Sequence, residues 1–289
     1  MNIITGGTGK VGSAVAQSLL NKGEKVKIIS RSSKDELKWK KRGAEWATTN
    51  INDTKVIHEV FMSGEKVFVL NPPANPQLDT DVEESKTVAL LLESLKDSGI
   101  KKIVVESTMG AREGKKIGDL GILYDLEKGI ENLGIPYSII RPAYYMSNWT
   151  DNLENVKKTS ELISFFPADL RIPMIAYQDI GELAADLMIE KDTAKITSIE
   201  GPELYSPQNV AETLSDVLQK NIKLKVIQEK DWFNTYISIG FSKEAAESYT
   251  NMTSISLREF QKNNLQKLNL QKGKTTLKEF IEKQITSFP

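Results

Sequence analysis

The chain has 289 residues, which is enough to bury a substantial core in one large α/β unit or in two lobes. Its 38 basic and 39 acidic side chains leave a net charge of −1, so no overall basic field attracts nucleic acid or an anionic membrane. The absence of cysteine excludes disulfides, thiol catalysis and thiolate metal sites, and the single histidine, His58, excludes multi-histidine metal sites.

A glycine-rich segment follows the first predicted strand, which begins at residue 3. Gly7, Gly9 and Gly12 match the pattern G-x-G-x-x-G, and Gly6 with the last two matches G-x-x-G-x-x-G. Apolar residues then recur at helical spacing, so the segment is predicted as strand, tight turn and helix. Backbone N–H groups at such a helix start, together with the helix dipole, can hold a pyrophosphate. The sequence therefore predicts a nucleotide-binding turn, and the alternative is a glycine-rich connection that binds nothing.

Strands and helices alternate through the first 141 residues. This alternation with short connections is typical of a parallel, doubly wound sheet, so the predicted fold class is α/β with a Rossmann fold. His58 falls within one of the predicted helices, where we expect an exposed or helix-packing role. The predicted strands are 25–29, 44–47, 66–70, 102–105 and 135–140, and the helices include 35–42, 53–61 capped by Asp53, and 80–97 stopped by Gly99.

The alternation breaks after Arg141-Pro142, where residues 143–178 are aromatic and irregular. Helical and strand patterns return further along the chain, with serine and threonine at the expected N-cap positions. The later elements that we predict are a helix from Asp179, a strand at 195–199, a helix capped by Ser206, an outlying strand at 221–227 and a last helix capped by Thr276.

These patterns predict two interleaved parts. Residues 1–150 form an NAD(P)-binding Rossmann domain, and the sheet is expected to be rejoined by about 179–200. Residues 151–178 and 201–289 form a smaller, mainly helical lobe that serves as substrate site or lid.

The residues after the second strand distinguish NADP from NAD. An acidic residue there accepts hydrogen bonds from the ribose 2′-hydroxyl of NAD, whereas an arginine accommodates the 2′-phosphate of NADP. Arg31 stands at this place, and a guanidinium pairs with phosphate in bidentate fashion. We therefore predict NADP, although Asp35 and Glu36 a few residues later leave NAD open. The alternative for Arg31 is an ordinary exposed arginine at a helix start.

Tyr124 and Lys128 are one helical turn apart on one face of a predicted helix. If that face borders a cleft, the lysine ammonium stabilises the tyrosinate, and Tyr124 can exchange a proton during hydride transfer. Ser107 follows the fifth strand, where it can orient a substrate carbonyl. We therefore name Tyr124, Lys128 and Ser107 as catalytic candidates. The alternative is a solvated helix face on which the two residues meet by chance.

The run from Thr5 to Gly12, with Arg31 after the second strand, resembles the atypical short-chain dehydrogenase/reductases. The run 134–142, followed by Tyr145 and Asn148, is similar to their NmrA-like branch. That branch contains NADPH-dependent quinone reductases and nitrogen-regulator-type redox sensors, and many of its members lack a Tyr-x-x-x-Lys pair. The resemblance covers residues 1 to about 150 and implies a Rossmann fold with an NADP(H) site.

The resemblance also implies where the cofactor lies. Asn50 would lie near the adenine, although the family pattern often has an acidic residue there. Asn71, Pro72 and Pro73 would line the nicotinamide ribose. The residues that would hold the phosphates are Gly6, Gly7, Thr8, Gly9, Lys10, Val11 and Arg31, and Gly12 is also predicted to belong to the cofactor site.

Three functions are compatible with these features. The leading one is an NADPH-dependent oxidoreductase that transfers hydride to a small carbonyl or quinone, under a lid built from 143–178 and the C-terminal helices. The second is a non-catalytic NADP(H)-sensing regulatory protein that acts through a protein partner. A nucleotide-sugar epimerase is less expected, because no second nucleotide-binding signature is present. The predicted substrate residues are Tyr144, Tyr145, Asn148 and Trp149, which with Phe165 and Phe166 line an apolar pocket or form interlobe core.

The sequence also predicts where the protein is located and what it binds. No apolar run approaches the ~20 residues that span a bilayer, and the early first strand leaves no room for a signal peptide, so we expect a cytoplasmic protein. The basic cluster 38–42 shares its predicted helix with acidic residues, which is typical of a solvated face rather than a nucleic-acid site. We predict a small-molecule substrate and no metal, and a homodimer or a protein partner stays open.

Overall fold

The computed structural model describes residues 1–191 and 194–286. The strands in this part of the chain are β1 (Asn2–Ile4), β2 (Val26–Ser30), β3 (Glu45–Thr48), β4 (Lys66–Val69), β5 (Lys102–Glu106), β6 (Tyr137–Pro142), β7 (Tyr144–Tyr145), β8 (Glu161–Ser164), β9 (Ile172–Ile175), β10 (Ile196–Glu200), β11 (Leu204–Tyr205), β12 (Lys223–Val226) and β13 (Gln271–Lys272).

The helices lie between and after these strands. They are α1 (Lys10–Asn21), α2 (Glu36–Lys41), α3 (Thr54–Met62), α4 (Thr80–Leu95), α5 (Asp119–Asn132), α6 (Leu153–Thr159), α7 (Tyr177–Ile189), α8 (Pro207–Leu218), α9 (Trp232–Ser238), α10 (Lys243–Lys262) and α11 (Leu277–Thr286).

The described residues form one large sheet of eight strands in the order β13-β10-β6-β5-β4-β1-β2-β3. Every neighbouring pair in it is parallel. The order reverses between β1 and β4, which makes the carboxyl ends of these strands the expected ligand edge of the sheet. The predicted α/β, doubly wound Rossmann fold is therefore confirmed.

Helices cover both faces of the large sheet. Ile3 and Ile4 are adjacent in β1 and point to opposite faces, yet both are fully buried. Ile4 packs in a core with α1 and α7, whereas Ile3 packs in a core with α3, α4 and α5. Burial on both sides explains why the central strands are continuously apolar rather than alternating.

A second lobe lies beside the carboxyl end of β6 and has its own apolar core. This core brings α8, α10 and α11 together around the fully buried Trp232 and Phe280. Two small sheets complete the lobe, with strand orders β11-β9-β7 and β12-β8. Because β7 begins two residues after β6 ends, the lobe stands directly over the ligand edge.

Several predicted element boundaries are confirmed. The Asp53 side chain accepts a hydrogen bond from the Val56 N–H and caps α3. Ser206 forms a capping box with Asn209 at the start of α8, and the Thr276 hydroxyl accepts from the Glu279 N–H at 3.3 Å ahead of α11. The predicted strand at 195–199 is present as β10 and pairs with β6.

Two predictions were wrong in detail. The helix predicted for 80–97 ends at Leu95, because Asp97 and Gly99 adopt positive φ values of 53° and 76°. The stretch 143–178, predicted as irregular, contains β7, α6, β8 and β9. Its short strands pair with β11 and β12, which are remote in the chain, so local periodicity could not reveal them. The division of the chain at residue 150 stays a prediction, since β10 and β13 return to the large sheet.

Candidate functional site

The glycine-rich turn after β1 is closely packed, and a Cβ on Gly6, Gly7 or Gly12 would lie within 2.6 Å of another atom. Gly6 has a φ of 61°, in the left-handed region that favours glycine, and its carbonyl accepts from the Gly9 N–H at 2.9 Å. A Cβ on Gly12 would lie 2.2 Å from the same carbonyl oxygen. By contrast, a Cβ on Gly9 would meet only that oxygen, at 3.3 Å. Gly9 therefore borders open space at the point where an anion would approach.

The start of α1 offers hydrogen-bond donors to such an anion. The N–H groups of Lys10, Val11 and Gly12 belong to the first helical turn and have no acceptor inside the helix. No side chain caps this end, and the positive end of the helix dipole lies behind it. The Lys10 ammonium is ion-paired with Asp151, and both side chains are about half exposed. An anion at the turn would therefore compete with Asp151 for this lysine.

Arg31 and Asn50 follow the neighbouring strands β2 and β3 at the same edge. Arg31 is exposed and, among the residues that the structure describes, forms no ion pair. The nearby carboxylate of Glu36 is occupied by Lys40 at 2.7 Å. Asn50 is exposed as well, and its Oδ1 accepts from the Asn52 N–H at 3.1 Å. This edge thus offers a guanidinium without a carboxylate partner, whereas the Asn50 oxygen already serves a local turn.

The segment after β4 contains an unsatisfied acceptor. Asn71 is buried, and its Oδ1 has no hydrogen-bond partner among the described residues. Pro72 and Pro73 follow it and contribute no N–H donors. The Ala74 N–H donates to Oε1 of Glu84 in α4 at 2.9 Å, which anchors the segment. A buried acceptor without a donor is costly, so the Asn71 oxygen points to a donor from a ligand or a solvent molecule.

A cavity of about 230 Å³ opens at the carboxyl ends of β5 and β6. Its walls come from the segments that follow these two strands, from α5 and from α10. Tyr144, Tyr145 and Asn148, three of the four predicted substrate residues, line it. Its apolar walls include Met109, Leu120, Phe166, Met252 and Phe260. A small, largely apolar space with a few hydroxyl groups suits a small organic ligand.

The remaining predicted aromatic residues lie in the core of the second lobe. Trp149 is 5 % exposed and packs beside the Tyr144 ring, with the ring centroids 5.8 Å apart. Phe165 stacks on Tyr236 at 4.8 Å. The structure therefore places Trp149 behind the cavity wall rather than in the cavity, because its indole fills the space between Tyr144 and the lobe core.

A buried carboxyl group stands directly behind the cavity wall. Glu106 ends β5 and is 3 % exposed, and its Oε1 accepts a hydrogen bond from the Tyr145 hydroxyl. Its Oε2 has no partner among the described residues. Burial, reinforced by the nearby Asp119, raises the pKa of Glu106 to about 7, although the Tyr145 hydrogen bond opposes the shift. Burial and the Glu106 carboxylate likewise raise the pKa of Tyr145 well above its ordinary value.

A second pair of carboxyl groups lies next to it. Asp119 lines the cavity, and its carboxyl group is hydrogen-bonded to that of Glu84. Burial raises the pKa of both groups. The charge of Asp119 raises the pKa of Glu84 further, to about 8, whereas the hydrogen bond with Glu84 opposes the rise at Asp119. The pair therefore retains a proton near neutral pH. Through the Ala74 N–H, this pair is linked to the segment that carries Asn71.

Ser107 lies in the cavity wall, but its proton is committed elsewhere. Its hydroxyl donates to Oε1 of Glu127 in α5 at 2.5 Å. Glu127 is also bound by Arg141 through two hydrogen bonds, of 2.8 and 2.6 Å. A hydroxyl that donates to a buried carboxylate cannot donate at the same time to a substrate carbonyl. The role predicted for Ser107 as carbonyl donor is thus not favoured by this geometry.

The structure does not bring Tyr124 and Lys128 to the cavity. The Lys128 ammonium pairs with Glu131 at 2.8 Å, and its side chain is 49 % exposed. It also lies 5.4 Å from the centre of the Tyr124 ring, on the outer side of α5. Of the three catalytic candidates, only Ser107 lines the cavity. The Tyr124–Lys128 pair stays a prediction, and its placement favours the solvated-face alternative.

Within the described residues, neither His58 nor the acidic side chains form a further site. His58 packs α3 against α4, with its Nδ1 3.0 Å from the Ser94 carbonyl oxygen, which confirms the helix-packing role. Within 1–191 and 194–286, no cluster of three or more His, Asp or Glu side chains is placed to hold a metal ion. In the same part of the chain, no helix combines the length and apolar character that crossing a membrane requires.

Sequence reasoning missed the acidic and C-terminal contributors to the site. Asp119 looks like an ordinary residue of a helix start, and its burial arises from α4 and α10, which are distant in the chain. Met252 and Phe260 read as one apolar face of an amphipathic helix, with nothing to indicate that they enclose a cavity. Glu127 carries a weak signal, since a carboxylate on the apolar side of α5 requires a buried partner.

Known proteins match this chain along most of its length. An NAD(P)H azoreductase of Xenophilus azovorans is 19 % identical over 258 residues, which cover 89 % of this chain and 87 % of the relative. The structure of a Citrobacter sp. triphenylmethane reductase complexed with NADP(H) has a TM-score of 0.77 and 19 % identity, covering 98 % of this chain and 99 % of the other. An Escherichia coli NADPH-dependent quinone oxidoreductase complexed with NADPH has a TM-score of 0.77 and 19 % identity, covering 99 % and 100 %.

The two structural matches show a common fold along nearly the whole chain. The model of the NmrA-like family matches residues 3–281. The match includes the glycine-rich turn, the segments around the cavity and α10. On this evidence, the chain belongs to the NmrA-like family.

Proposed function

We propose that this protein is an NADPH-dependent oxidoreductase that transfers a hydride to a small carbonyl or quinone. The proposal rests on one observation. The candidate binding features follow one another along a single edge of the sheet. In the order β2, β1, β4 and β5–β6, this edge presents Arg31, the glycine-rich turn, Asn71 and the cavity. A dinucleotide along the edge would place its 2′-phosphate, pyrophosphate, nicotinamide ribose and reacting ring in the same order.

The residues at each position suit the part of NADPH that they would hold. The open space at Gly9 and the free N–H groups of α1 suit the pyrophosphate. The Arg31 guanidinium suits the 2′-phosphate, which a carboxylate would repel. The Asn71 Oδ1 lacks a donor that a ribose hydroxyl or a carboxamide would supply. Lys10 would exchange its exposed partner Asp151 for a phosphate.

The cavity suits the second substrate. When bound, NADPH supplies the hydride, and the protein must then orient the acceptor, exclude water and deliver a proton. The apolar walls formed by Met109, Leu120 and Phe260 exclude water, whereas the tyrosine hydroxyls of the wall are the donors available to a carbonyl or quinone oxygen. The names of the three similar proteins, each a reductase or oxidoreductase associated with NAD(P)H, support the same class of reaction.

Oxidation of NADPH in the presence of candidate acceptors tests the proposal. We expect the protein to oxidise NADPH with at least one member of a panel of benzoquinones, naphthoquinones and aromatic aldehydes, and to do so faster than NADH. The control without acceptor measures the slow background oxidation. Tight binding of NADPH without turnover of any acceptor would contradict the proposal and would favour the sensor hypothesis, in which the bound cofactor is read by a protein partner.

A further inference from the structure

Tyr145 and Glu106 form a buried hydroxyl–carboxyl pair at the wall of the cavity. The Tyr145 side chain lines the cavity, and its hydroxyl donates to Oε1 of Glu106 behind it. Glu106 does not line the cavity and is 3 % exposed. Its Oε2 is buried without a hydrogen-bond partner among the described residues. The pair therefore connects the cavity to a carboxyl group that has a free oxygen atom on which to carry a proton.

The surroundings of Glu106 favour its protonated form. The tyrosine of β7 contacts it, the carboxyl group of Asp119 in α5 acts on it through space, and the residue opposite it in β6 is the apolar Ile140. Among the described residues, no basic side chain shifts the pKa of Glu106. Burial together with Asp119 raises the pKa of Glu106 to about 7, so near neutral pH a proton is available there.

The other polar groups of the cavity are less suited to deliver a proton. The Ser107 hydroxyl donates to Glu127, which is held by Arg141. Tyr144 is hydrogen-bonded to Asn148, which carries no proton to replace one that Tyr144 loses. Tyr145 is thus the cavity hydroxyl in direct contact with a carboxyl group that can be protonated.

We propose that Tyr145 is the general acid of the reduction and that Glu106 is the positioning residue that restores its proton. This inference rests on the proposed NADPH-dependent reduction. When Glu106 is protonated, the direction of the hydrogen bond between the two side chains reverses. The carboxyl O–H donates to the tyrosine oxygen, and the tyrosine O–H turns into the cavity.

A hydride from NADPH forms a C–H bond at a carbonyl carbon, or an O–H bond at one oxygen of a quinone, as the C4–H bond of the nicotinamide breaks and NADP⁺ is formed. The Tyr145 O–H bond breaks as its proton passes to the acceptor oxygen, which becomes a hydroxyl group. The Glu106 proton moves to Tyr145 in the same step, and water entering the emptied cavity restores the Glu106 proton.

Steady-state kinetics of Tyr145→Phe and Glu106→Gln test the assignment. A general acid contributes about 100-fold or more, so we expect Tyr145→Phe to lower kcat by about that factor, with NADPH affinity unchanged. In the wild type, kcat should fall as pH rises through about 7, because Glu106 loses its proton. Glu106→Gln should lower kcat and abolish this decline. The matched control is Tyr137→Phe, which removes a hydroxyl that also faces a carboxylate, Glu131 at 3.3 Å, but at the opposite end of β6. It should leave both rate and profile unchanged.

A titration of the free protein supplies a readout that does not depend on turnover. Glutamate labelled with ¹³C at the side-chain carboxyl gives one resonance that Glu106→Gln removes, and its midpoint should lie near pH 7. Tyr145→Phe should raise this midpoint, because the lost hydrogen bond stabilises the charged form. A Glu106 midpoint in the ordinary acidic range, or one that Tyr145→Phe leaves unchanged, would overturn the coupling.

The outcomes separate this inference from the proposed function. Full turnover by Tyr145→Phe with the wild-type pH profile would overturn only the assignment of Tyr145. Absence of NADPH oxidation by the wild type with every acceptor would overturn the proposed function itself. Loss of rate with a normal thermal unfolding midpoint and normal NADPH binding would support the assignment, since a merely structural defect would change those two properties as well.

Discussion

Arg141 donates two hydrogen bonds to the Glu127 carboxylate, from Nε to Oε1 at 2.8 Å and from Nη2 to Oε2 at 2.6 Å. Both side chains are almost fully buried, at 7 % and 2 % exposure. The pair joins β6 to α5 directly beneath the cavity. Because Ser107 shares the same carboxylate, the pair also fixes the wall of the site.

The buried pair predicts a large loss of stability when one charge is removed. Glu127→Gln leaves the Arg141 guanidinium buried without a counter-charge, and we expect the free energy of unfolding to fall by about 3–5 kcal/mol. Urea unfolding followed by circular dichroism measures the loss. The control is Glu93→Gln, which breaks an exposed pair with Lys96 and should cost about 1 kcal/mol or less. Equal losses for the two variants would contradict the structural role of the buried pair.

Two glycines of the turn are expected to respond differently to alanine. Gly9→Ala places a Cβ 3.3 Å from the Gly6 carbonyl oxygen, a close contact that a small shift relieves, and keeps an ordinary φ of −78°, so the free energy of unfolding should fall by about 1 kcal/mol or less. The same methyl group obstructs the approach of a phosphate, so NADPH affinity should fall about tenfold or more. Gly12→Ala puts a Cβ 2.2 Å from the Gly6 carbonyl oxygen and should destabilise the fold. Calorimetric titration measures the NADPH affinity of each variant, and thermal unfolding measures its stability. Normal NADPH binding by Gly9→Ala would contradict a phosphate site at this turn.

Arg31 is expected to set the preference for NADPH over NADH. Loss of a charge-assisted phosphate contact costs about 1.5–3 kcal/mol, so Arg31→Ala should weaken NADPH binding by roughly 10- to 100-fold. NADH lacks the 2′-phosphate, and its affinity should hardly change. Arg171→Ala is the control, because this exposed arginine directly precedes β9 in the second lobe, and its one hydrogen-bond partner among the described residues is the Leu204 carbonyl, 3.5 Å from Nη1. An equal loss for both cofactors, or no loss, would refute the role of Arg31.

The buried carboxyl groups predict that stability decreases from mildly acidic to mildly alkaline pH. The pKa values of Glu84, Glu106 and Asp119 are raised in the folded state, so between these values and the ordinary ones the folded protein binds more protons than the unfolded chain. The contribution of Glu106 is therefore complete below about pH 4.5 and is lost as pH rises through about 7. Each unit by which the pKa of a group differs between the folded and the unfolded state corresponds to about 1.4 kcal/mol. The urea midpoint, measured from pH 5 upwards, gives the slope of stability against pH, which Glu106→Gln should make less steep. Stability that increases with pH would contradict the burial of these groups.

The outer face of α5 is expected to be dispensable for catalysis. Lys128 pairs with Glu131, and neither Tyr124 nor Lys128 lines the cavity. We expect Tyr124→Phe and Lys128→Ala to retain the kcat and the NADPH affinity of the wild type. A loss of about 100-fold in kcat for either variant would restore the Tyr-x-x-x-Lys hypothesis.

The sequence was sufficient to predict the fold and to place the glycine-rich turn and Arg31 at the carboxyl edge of the sheet. Glycines at a strand–helix junction have few structural meanings, and the spacing of Gly6, Gly9 and Gly12 is local, as is the place of Arg31 after β2. The alternation of helices and buried strands is local as well. Each of these features depends on neighbours within a few residues, so the chain order alone reveals it.

The substrate end depends on contacts between distant segments. Glu106 and Tyr145 are 39 residues apart, and their hydrogen bond follows from the way β7 turns back over the edge of β5. Asp119 meets Glu84 only because α4 and α5 lie side by side. Helical spacing correctly placed Tyr124 and Lys128 on one face, but it could not say whether that face borders the cavity or the solvent.

If a hydride passes from NADPH to an acceptor held in the cavity beside β5 and β6, it leaves from one face of the nicotinamide ring. Two preparations of NADPH, each with deuterium in place of one of the two hydrogens on nicotinamide C4, test this transfer. The wild type oxidises each with an acceptor from the panel, and mass spectrometry measures the deuterium left in NADP⁺. We predict that one preparation loses its deuterium completely and the other retains it, because a bound nicotinamide presents a single face to the cavity. Equal loss from both preparations, or no oxidation of either, would contradict the account.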